Sequence, residues 1–243
     1  MVEQQHTLRA YDEELEGLTA ELSRMGGLAE VEVSDAVRAI ARRDIALAQA
    51  VIGHDARLDE IEADIERRAI RMIALRQPVA DDLRRTVAAL KISTNLERCG
   101  DLAKNIAKRA LVIAESDPIT PLTRSIERMG ELVAARLKDV LDAFAARDVD
   151  RARAVWQRDQ EVDEHYDAIF RELLTYMMGD PRTIASCAHL LFVAKNLERI
   201  GDHATNIAEI LHFQITGSEL AEERPKLSLP EANLGADLAG APS

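Results

Sequence analysis

Two segments of fourteen residues carry the side chains of this sequence that are best placed to do chemistry. NLERCGDLAKNIAK begins at Asn95 and NLERIGDHATNIAE begins at Asn196, and ten of the fourteen letters agree. In each segment an aspartate follows a glutamate by four residues, which places both carboxylates on one face of a helix. Carboxylates paired in this way can bind a cation or share a proton. The four residues are Glu97, Asp101, Glu198 and Asp202.

Further acids lie in the helix before each segment, on or beside a seam of apolar residues at heptad spacing. They are Asp55 and Asp59 in the first half and Asp159 and Asp163 in the second. Residues equidistant from a tight turn face each other on antiparallel helices. The facing pairs are Asp59 with Glu97, Asp55 with Asp101, Asp163 with Glu198, and Asp159 with Asp202. The spacing therefore predicts one quartet of carboxylates on each of two hairpins.

Four carboxylates that converge repel one another, and each loses favourable hydration. Protonation would relieve the repulsion, and so would Arg98 and Arg199, which directly follow the glutamates. A multivalent cation is the third solution, and all-oxygen ligand sets suit Mg²⁺, Mn²⁺, Ca²⁺ or iron. A single pair of acids at this spacing usually belongs to a solvated helix face. Two duplicated quartets favour a metal or another specific cation.

A glycine interrupts each segment, Gly100 in the first and Gly201 in the second. Glycine in the middle of a helix costs about 1 kcal/mol relative to alanine. We therefore expect each glycine either to permit the close approach of a neighbouring helix or to leave room beside the acids. Close packing is the favoured interpretation.

The elements that must position these residues are helices. All seven prolines fall between candidate helices or in the C-terminal stretch, and the segments between them have helical periodicity without strand alternation. This pattern predicts an all-α protein of six long helices. The predicted bounds are about 7–42 with a bend at Met25–Gly27, 44–76 with Asp44 as cap, 79–115, 118–147, 148–178 with Asp148 as cap, and a sixth helix that ends near Thr216.

The chain contains an internal duplication. Arg43-Asp44 matches Arg147-Asp148 at an offset of 104, and the offset is 101 after the next turn. Each copy has three helices with short connections, which favours antiparallel neighbours. We predict two similar three-helix bundles end to end, over residues 1–116 and 117–216. A stretch over 217–243 without periodicity is interpreted as a flexible tail.

The composition limits the partners and the compartment. The formal net charge of −12 argues against nucleic acid or an anionic membrane surface as the main partner. The two cysteines, Cys99 and Cys187, indicate no disulfide framework or zinc knuckle. The sequence has no apolar run of about 18 residues and no signal-peptide pattern. We therefore expect a cytoplasmic protein that contacts a membrane only through its partners.

The doubled motif NLER-x-GD…NI, the turn Arg76-Gln77-Pro78, the stretch from Asp139 to Phe144 and the stretch from Thr175 to Met178 together resemble the PhoU family of phosphate-signalling proteins. The resemblance extends from the first helix to about Thr216. It implies a cytoplasmic, often dimeric, negative regulator of phosphate uptake and of the phosphate-starvation response. Such a regulator links the ATPase subunit of the phosphate transporter to a membrane histidine kinase.

The same resemblance implies that the acidic motifs hold multinuclear clusters of iron, zinc or a related metal; the ligand chemistry also leaves Mg²⁺ and Mn²⁺ open. The implied metal ligands are Glu97, Asp101, Glu198 and Asp202, with the facing Asp55, Asp59, Asp159 and Asp163. The motif ends in Glu209 in the second copy but in Lys108 in the first. We therefore expect the first site to bind metal more weakly or not at all.

The alternative from another class is a carboxylate-bridged metalloenzyme. Di-iron carboxylate enzymes place Glu-x-x-His pairs on two facing helices. The chain has two such pairs, Glu3–His6 and Glu209–His212, but both lie near the ends of the helical region. The sequence shows no nucleophile–base arrangement and no glycine-rich phosphate loop. We therefore expect a regulator without catalytic residues.

Overall fold

The computed structural model describes residues 2–54, 56–116 and 120–220, and over these ranges the chain is helical without strands. The all-α class predicted from the sequence is confirmed. No helix in the described ranges has the length and apolar character needed to cross a membrane. The helices are α1 (Val2–Arg42), α2 (Ile45–His54), α3 (Ala56–Arg76), α4 (Ala80–Ala114), α5 (Thr120–Ala146), α6 (Val149–Gln157), α7 (Gln160–Gly179) and α8 (Ile184–Thr216), with a 3-10 turn over Pro181–Thr183.

The six predicted rods are present. The second corresponds to α2 and α3, and residue 55 between them is outside the described residues. The fifth is divided into α6 and α7. At this break the amide groups of Arg158 and Asp159 donate to carbonyls only three residues back, which interrupts the α-helical pattern. Neither residue is a proline or a glycine, so local sequence signals did not predict this break. At Met25–Gly27, where the sequence predicted a bend, α1 continues without interruption.

The predicted helix starts are confirmed by their caps. The Asp44 carboxylate accepts a hydrogen bond from the Leu47 amide at 2.9 Å. The Asp148 carboxylate accepts one from the Arg151 amide at 3.0 Å. Both satisfy an amide that the first helical turn leaves without an intrahelical partner. At the end of α8, Gly217 has a positive φ of 73°, a conformation that glycine adopts without steric cost.

The two halves lie side by side rather than end to end. α4 packs along α8, and α1 packs along α5. The Asn95 side chain meets His203, and Arg109 meets His189, so α4 and α8 run antiparallel. Buried side chains of both halves form one hydrophobic core. α4 and α8 have buried residues on more than one face, which makes them the central helices of the molecule. Residues 221–243 of the predicted tail are outside the described residues.

Candidate functional site

The α3–α4 hairpin brings four acids together, and we call Asp59, Glu62, Glu97 and Asp101 the first acidic cluster. The Thr94 hydroxyl donates to Glu62 Oε1 at 3.0 Å. These two residues are equidistant from Pro78, so the predicted register of the first hairpin is confirmed. Glu62 was on the predicted seam but was left out of the predicted site. Its heptad position between Leu58 and Ile65 was the signal that identifies it.

Glu97 is the most perturbed acid of this cluster. Burial raises the pKa of Glu97 to about 7; Arg98 opposes the shift, whereas the charges of Asp101, Glu62 and Asp59 add to it. Only 14% of the Glu97 side chain is exposed, and Arg98 Nε lies 3.4 Å from its carboxylate. Arg98 also lies 3.6 Å from Asp101. Arg98 therefore offsets part of the repulsion between the acids. The effect of burial is larger, so Glu97 is protonated more easily than an ordinary glutamate.

We call the predicted ligands Asp163, Glu198 and Asp202 of the α7–α8 hairpin the second acidic cluster, and a lysine side chain pairs with one of them. Lys195 Nζ lies 2.7 Å from Glu198 Oε1. The same ammonium lies 5.3 Å from the centroid of the Tyr166 ring. In the first half, the position of Lys195 is occupied by Thr94 and the position of Tyr166 by Glu62. The second half therefore has one more basic residue and one acid fewer at these positions. The second cluster is therefore less acidic than the first.

Asp159 is buried and serves the fold. Its Oδ1 accepts a hydrogen bond from the Thr205 hydroxyl at 2.7 Å. The buried guanidinium of Arg136 lies 3.6 Å from the same carboxylate and also donates to the backbone carbonyls of Arg158 and Asp159 at the helix break. Thr205 lies three residues beyond the Asp202 that we expected to face Asp159, so the register differs by slightly less than one helical turn. The negative charge of Asp159 is balanced by an arginine. That arginine is Arg136 of α5, and not Arg199 of the motif as the sequence suggested.

The glycines of the two motifs permit close packing, as the sequence predicted. A Cβ atom on Gly100 would lie 2.3 Å from Leu58 Cδ1, and one on Gly201 would lie 3.3 Å from Val162 Cγ1. Leu58 and Val162 are homologous residues of α3 and α7. The approach of these helices brings the flanking acids near one another. The first contact is much tighter than the second.

The donor set fits a hard cation. Glu198 Oε2 is buried and accepts no hydrogen bond from the described part of the chain, and a carboxylate oxygen in that state is a strong ligand. Glu97 is desolvated beside three more acids. Even so, no three acids, histidines or cysteines within residues 2–54, 56–116 and 120–220 are arranged around one metal position. Asp55, the remaining predicted ligand, is outside those ranges.

Other candidate ligands lie elsewhere. Glu209 accepts a hydrogen bond from the Trp156 indole at 2.9 Å, and His212 contacts the Ser218 carbonyl at 3.0 Å. The Glu209–His212 pair therefore has other partners, and the weaker metal binding expected of the first site from Lys108 stays a prediction. His203 hydrogen-bonds Asn95 across the α4–α8 interface, where burial lowers its pKa. The side chains of Glu3 and His6 are outside the described residues.

The sequence and the fold both match known proteins. A family model described as the PhoU domain matches residues 22–110 and 126–211. The phosphate-specific transport system accessory protein PhoU homolog of Caulobacter vibrioides is 68% identical over 225 residues, which cover 93% of this chain and 98% of that protein. The homolog of the same name from Rhizobium meliloti is 52% identical over 221 residues, covering 91% and 93%.

Solved structures share the architecture. The crystal structure of PhoU from Pseudomonas aeruginosa matches with a TM-score of 0.80 and 40% identity, over 86% of this chain and 100% of that one. The phosphate transport system regulatory protein PhoU from Streptococcus pneumoniae matches with a TM-score of 0.80 and 30% identity, over 86% and 99%.

Proposed function

The chain belongs to the PhoU family, and from that premise we propose that it is a cytoplasmic accessory protein that negatively regulates phosphate uptake and the phosphate-starvation response. The observation that carries the proposal is the 68% identity, over nearly the whole of both chains, to a phosphate-specific transport system accessory protein. Within the described ranges no helix has the length and apolar character of a membrane span, in keeping with a protein that reaches the membrane through partners.

The regulator acts as an adaptor without catalysis. One partner is the ATPase subunit of the phosphate transporter, and the other is a sensor histidine kinase. Exposed apolar residues at both hairpin ends, among them Leu75, Val79 and Met178, support protein–protein docking at opposite ends of the central helices. The family resemblance adds a homodimer.

The acidic clusters bind metal, with iron or zinc as the leading ions and Mg²⁺ or Mn²⁺ as further candidates. Glu97, Asp101 and Asp59 would hold the ion in the first cluster, and Glu198, Asp202 and Asp163 in the second. Asp159 is engaged by Arg136 and Thr205, so it supports the hairpin that carries the second cluster. A bound ion would replace the charge compensation that Arg98 and Lys195 supply in its absence.

Deletion of the gene tests the regulatory role. We expect phosphate-responsive genes to be expressed at high phosphate in the deletion strain, and the wild-type gene to restore repression. Co-purification of the tagged protein with the ATPase subunit and with the kinase tests the adaptor. Unchanged expression in the deletion strain would refute the regulatory role. Binding to neither partner would refute the adaptor even if regulation is lost.

A further inference from the structure

A row of large apolar side chains runs along α7, partly buried at its first member and exposed at the other three. The residues recur every four positions and are Tyr166, Phe170, Leu174 and Met178. Phe170 is 38% exposed, Leu174 is 41% exposed and Met178 is 86% exposed. The Tyr166 and Phe170 rings are 6.4 Å apart, so the row begins as a continuous aromatic surface. We call these four residues the α7 stripe.

The fold does not require the α7 stripe. The homologous positions of α3 are occupied by Glu62, Glu66, Ile70 and Ala74. The same helix, in the same hairpin, therefore folds in the first half with two glutamates in place of the two aromatic rings. Ile70, at the position of Leu174, is 55% exposed and provides an internal comparison. The apolar surface is thus particular to the second half.

The surface continues onto the start of α8. Thr183 Oγ1 donates to the Tyr176 carbonyl at 3.2 Å, which holds the turn against the last turn of α7. The next residue, Ile184, is 48% exposed and extends the apolar surface beyond Met178. At the opposite end, Lys195 covers the Tyr166 ring. The stripe therefore spans about three helical turns, roughly 18 Å from Tyr166 to Met178 at the α-helical rise per residue, which suits one helix of a partner.

The charge beside the stripe is negative. α7 contains five acids and one arginine. Asp163 and Asp167 are spaced four residues apart, and each precedes an exposed member of the stripe by seven residues, Phe170 and Leu174 respectively. Seven residues are two helical turns, so these aspartates lie on the same side of α7 as the apolar row. An apolar row edged by carboxylates complements apolar side chains flanked by lysine or arginine.

We propose that the α7 stripe is the docking site for a basic amphipathic helix of a partner protein. The inference deepens the proposed function by assigning a surface and a partner chemistry to the adaptor. A second copy of the chain is disfavoured as the occupant, because a twofold contact would bring together two copies of the same negatively charged helix face. An anionic lipid surface is disfavoured by the same repulsion.

The test uses Leu174→Ser, with Ile70→Ser at the homologous site as the matched control. Both residues are partly exposed, so both variants are expected to fold, which circular dichroism verifies. The probes are a synthetic helical peptide of leucines and lysines and its counterpart with glutamate in place of lysine. We expect the lysine peptide to bind the wild type and Ile70→Ser equally. Leu174→Ser should bind at least about tenfold more weakly, since the residue is a central apolar anchor. The glutamate peptide should not bind.

The same variants are then tested against the purified ATPase subunit and kinase. Loss of one of these partners in Leu174→Ser, but not in Ile70→Ser, supports the docking site. Absence of lysine-peptide binding to the wild type overturns it, as does equal weakening in both variants. A dimer in the wild type that dissociates in Leu174→Ser overturns it in favour of a second copy, and stripe-dependent binding to phosphatidylglycerol vesicles overturns it in favour of a membrane. If the wild type binds the lysine peptide through Leu174 but binds neither protein, the adaptor role falls while the docking site stands.

Discussion

The guanidinium of Arg136 lies 3.1 Å from the backbone carbonyl of Asp159 and 3.6 Å from its carboxylate, with both side chains buried. Arg136 thus pairs with a buried carboxylate and also donates hydrogen bonds to the backbone carbonyls at the break between α6 and α7. Burial lowers the pKa of Arg136, and the charges of Asp159 and Glu161 oppose that shift. Because a cation is expensive to bury alone, the pair holds only while both partners are present.

Arg136→Met should lower the free energy of unfolding by about 3–5 kcal/mol, because it leaves the buried Asp159 carboxylate without its cation. Arg136→Lys should restore little, since an ammonium lacks the planar fork that reaches two carbonyls. Urea denaturation measures both changes. The control is Arg151→Met, which removes a solvent-accessible partner of Asp139 and Asp142 and should cost much less than Arg136→Met. Equal losses at Arg136 and Arg151 would contradict the assignment.

Glu97 should make the stability of the metal-free protein fall as the pH rises from about 5 to 7.5. Its pKa is about 7 in the folded chain against an ordinary value of 4.5, so over this range the folded state keeps a proton that the unfolded state has released. The free energy of unfolding therefore decreases with pH. In Glu97→Gln the decrease should be smaller. Urea titrations at several pH values measure it, with the exposed Glu60→Gln as control; identical slopes in all three proteins would refute the prediction.

Mn²⁺ should bind more tightly to the first acidic cluster than to the second, because Lys195 neutralises Glu198. In calorimetric titrations of metal-free protein, Glu97→Gln should remove the tighter binding phase and Glu198→Gln the weaker one. Lys195→Thr, which installs the residue found at the homologous Thr94, should strengthen the weaker phase. Glu131→Gln, which changes an exposed acid of α5, serves as the control. Tighter binding at the second cluster of the wild type would contradict this prediction. It would support the expectation that the first site, whose motif ends in Lys108, binds metal more weakly.

Gly100→Ala should destabilise the protein, whereas Gly201→Ala should be close to neutral. The new methyl on Gly100 would overlap Leu58, and overpacking of this kind costs about 1–3 kcal/mol. At Gly201 the contact with Val162 is at 3.3 Å, so a small shift is offset by the gain in helix propensity of about 1 kcal/mol. Thermal unfolding measures both. Adding Leu58→Val to Gly100→Ala should cost less than the two single changes together; strict additivity would argue against a clash.

The sequence by itself determined the local structure and the register of the first hairpin. Helical periodicity, the prolines and the caps Asp44 and Asp148 depend on neighbouring residues, and the contact between Thr94 and Glu62 follows from counting outward from Pro78. The family motifs are contiguous in the chain, so the sequence alone also indicated a regulator of phosphate uptake.

The tertiary structure alone decided which acids remain in a cluster and how the halves meet. Arg136 reaches Asp159 from another helix, Lys195 rather than the motif's own arginine bonds Glu198, and α4 runs along α8 so that the halves pair side by side. Periodicity tells which face of each helix is buried but not which helix covers it. That choice is made when all the buried faces are packed at once, since α4 and α8 can be covered on several sides only by helices from both halves.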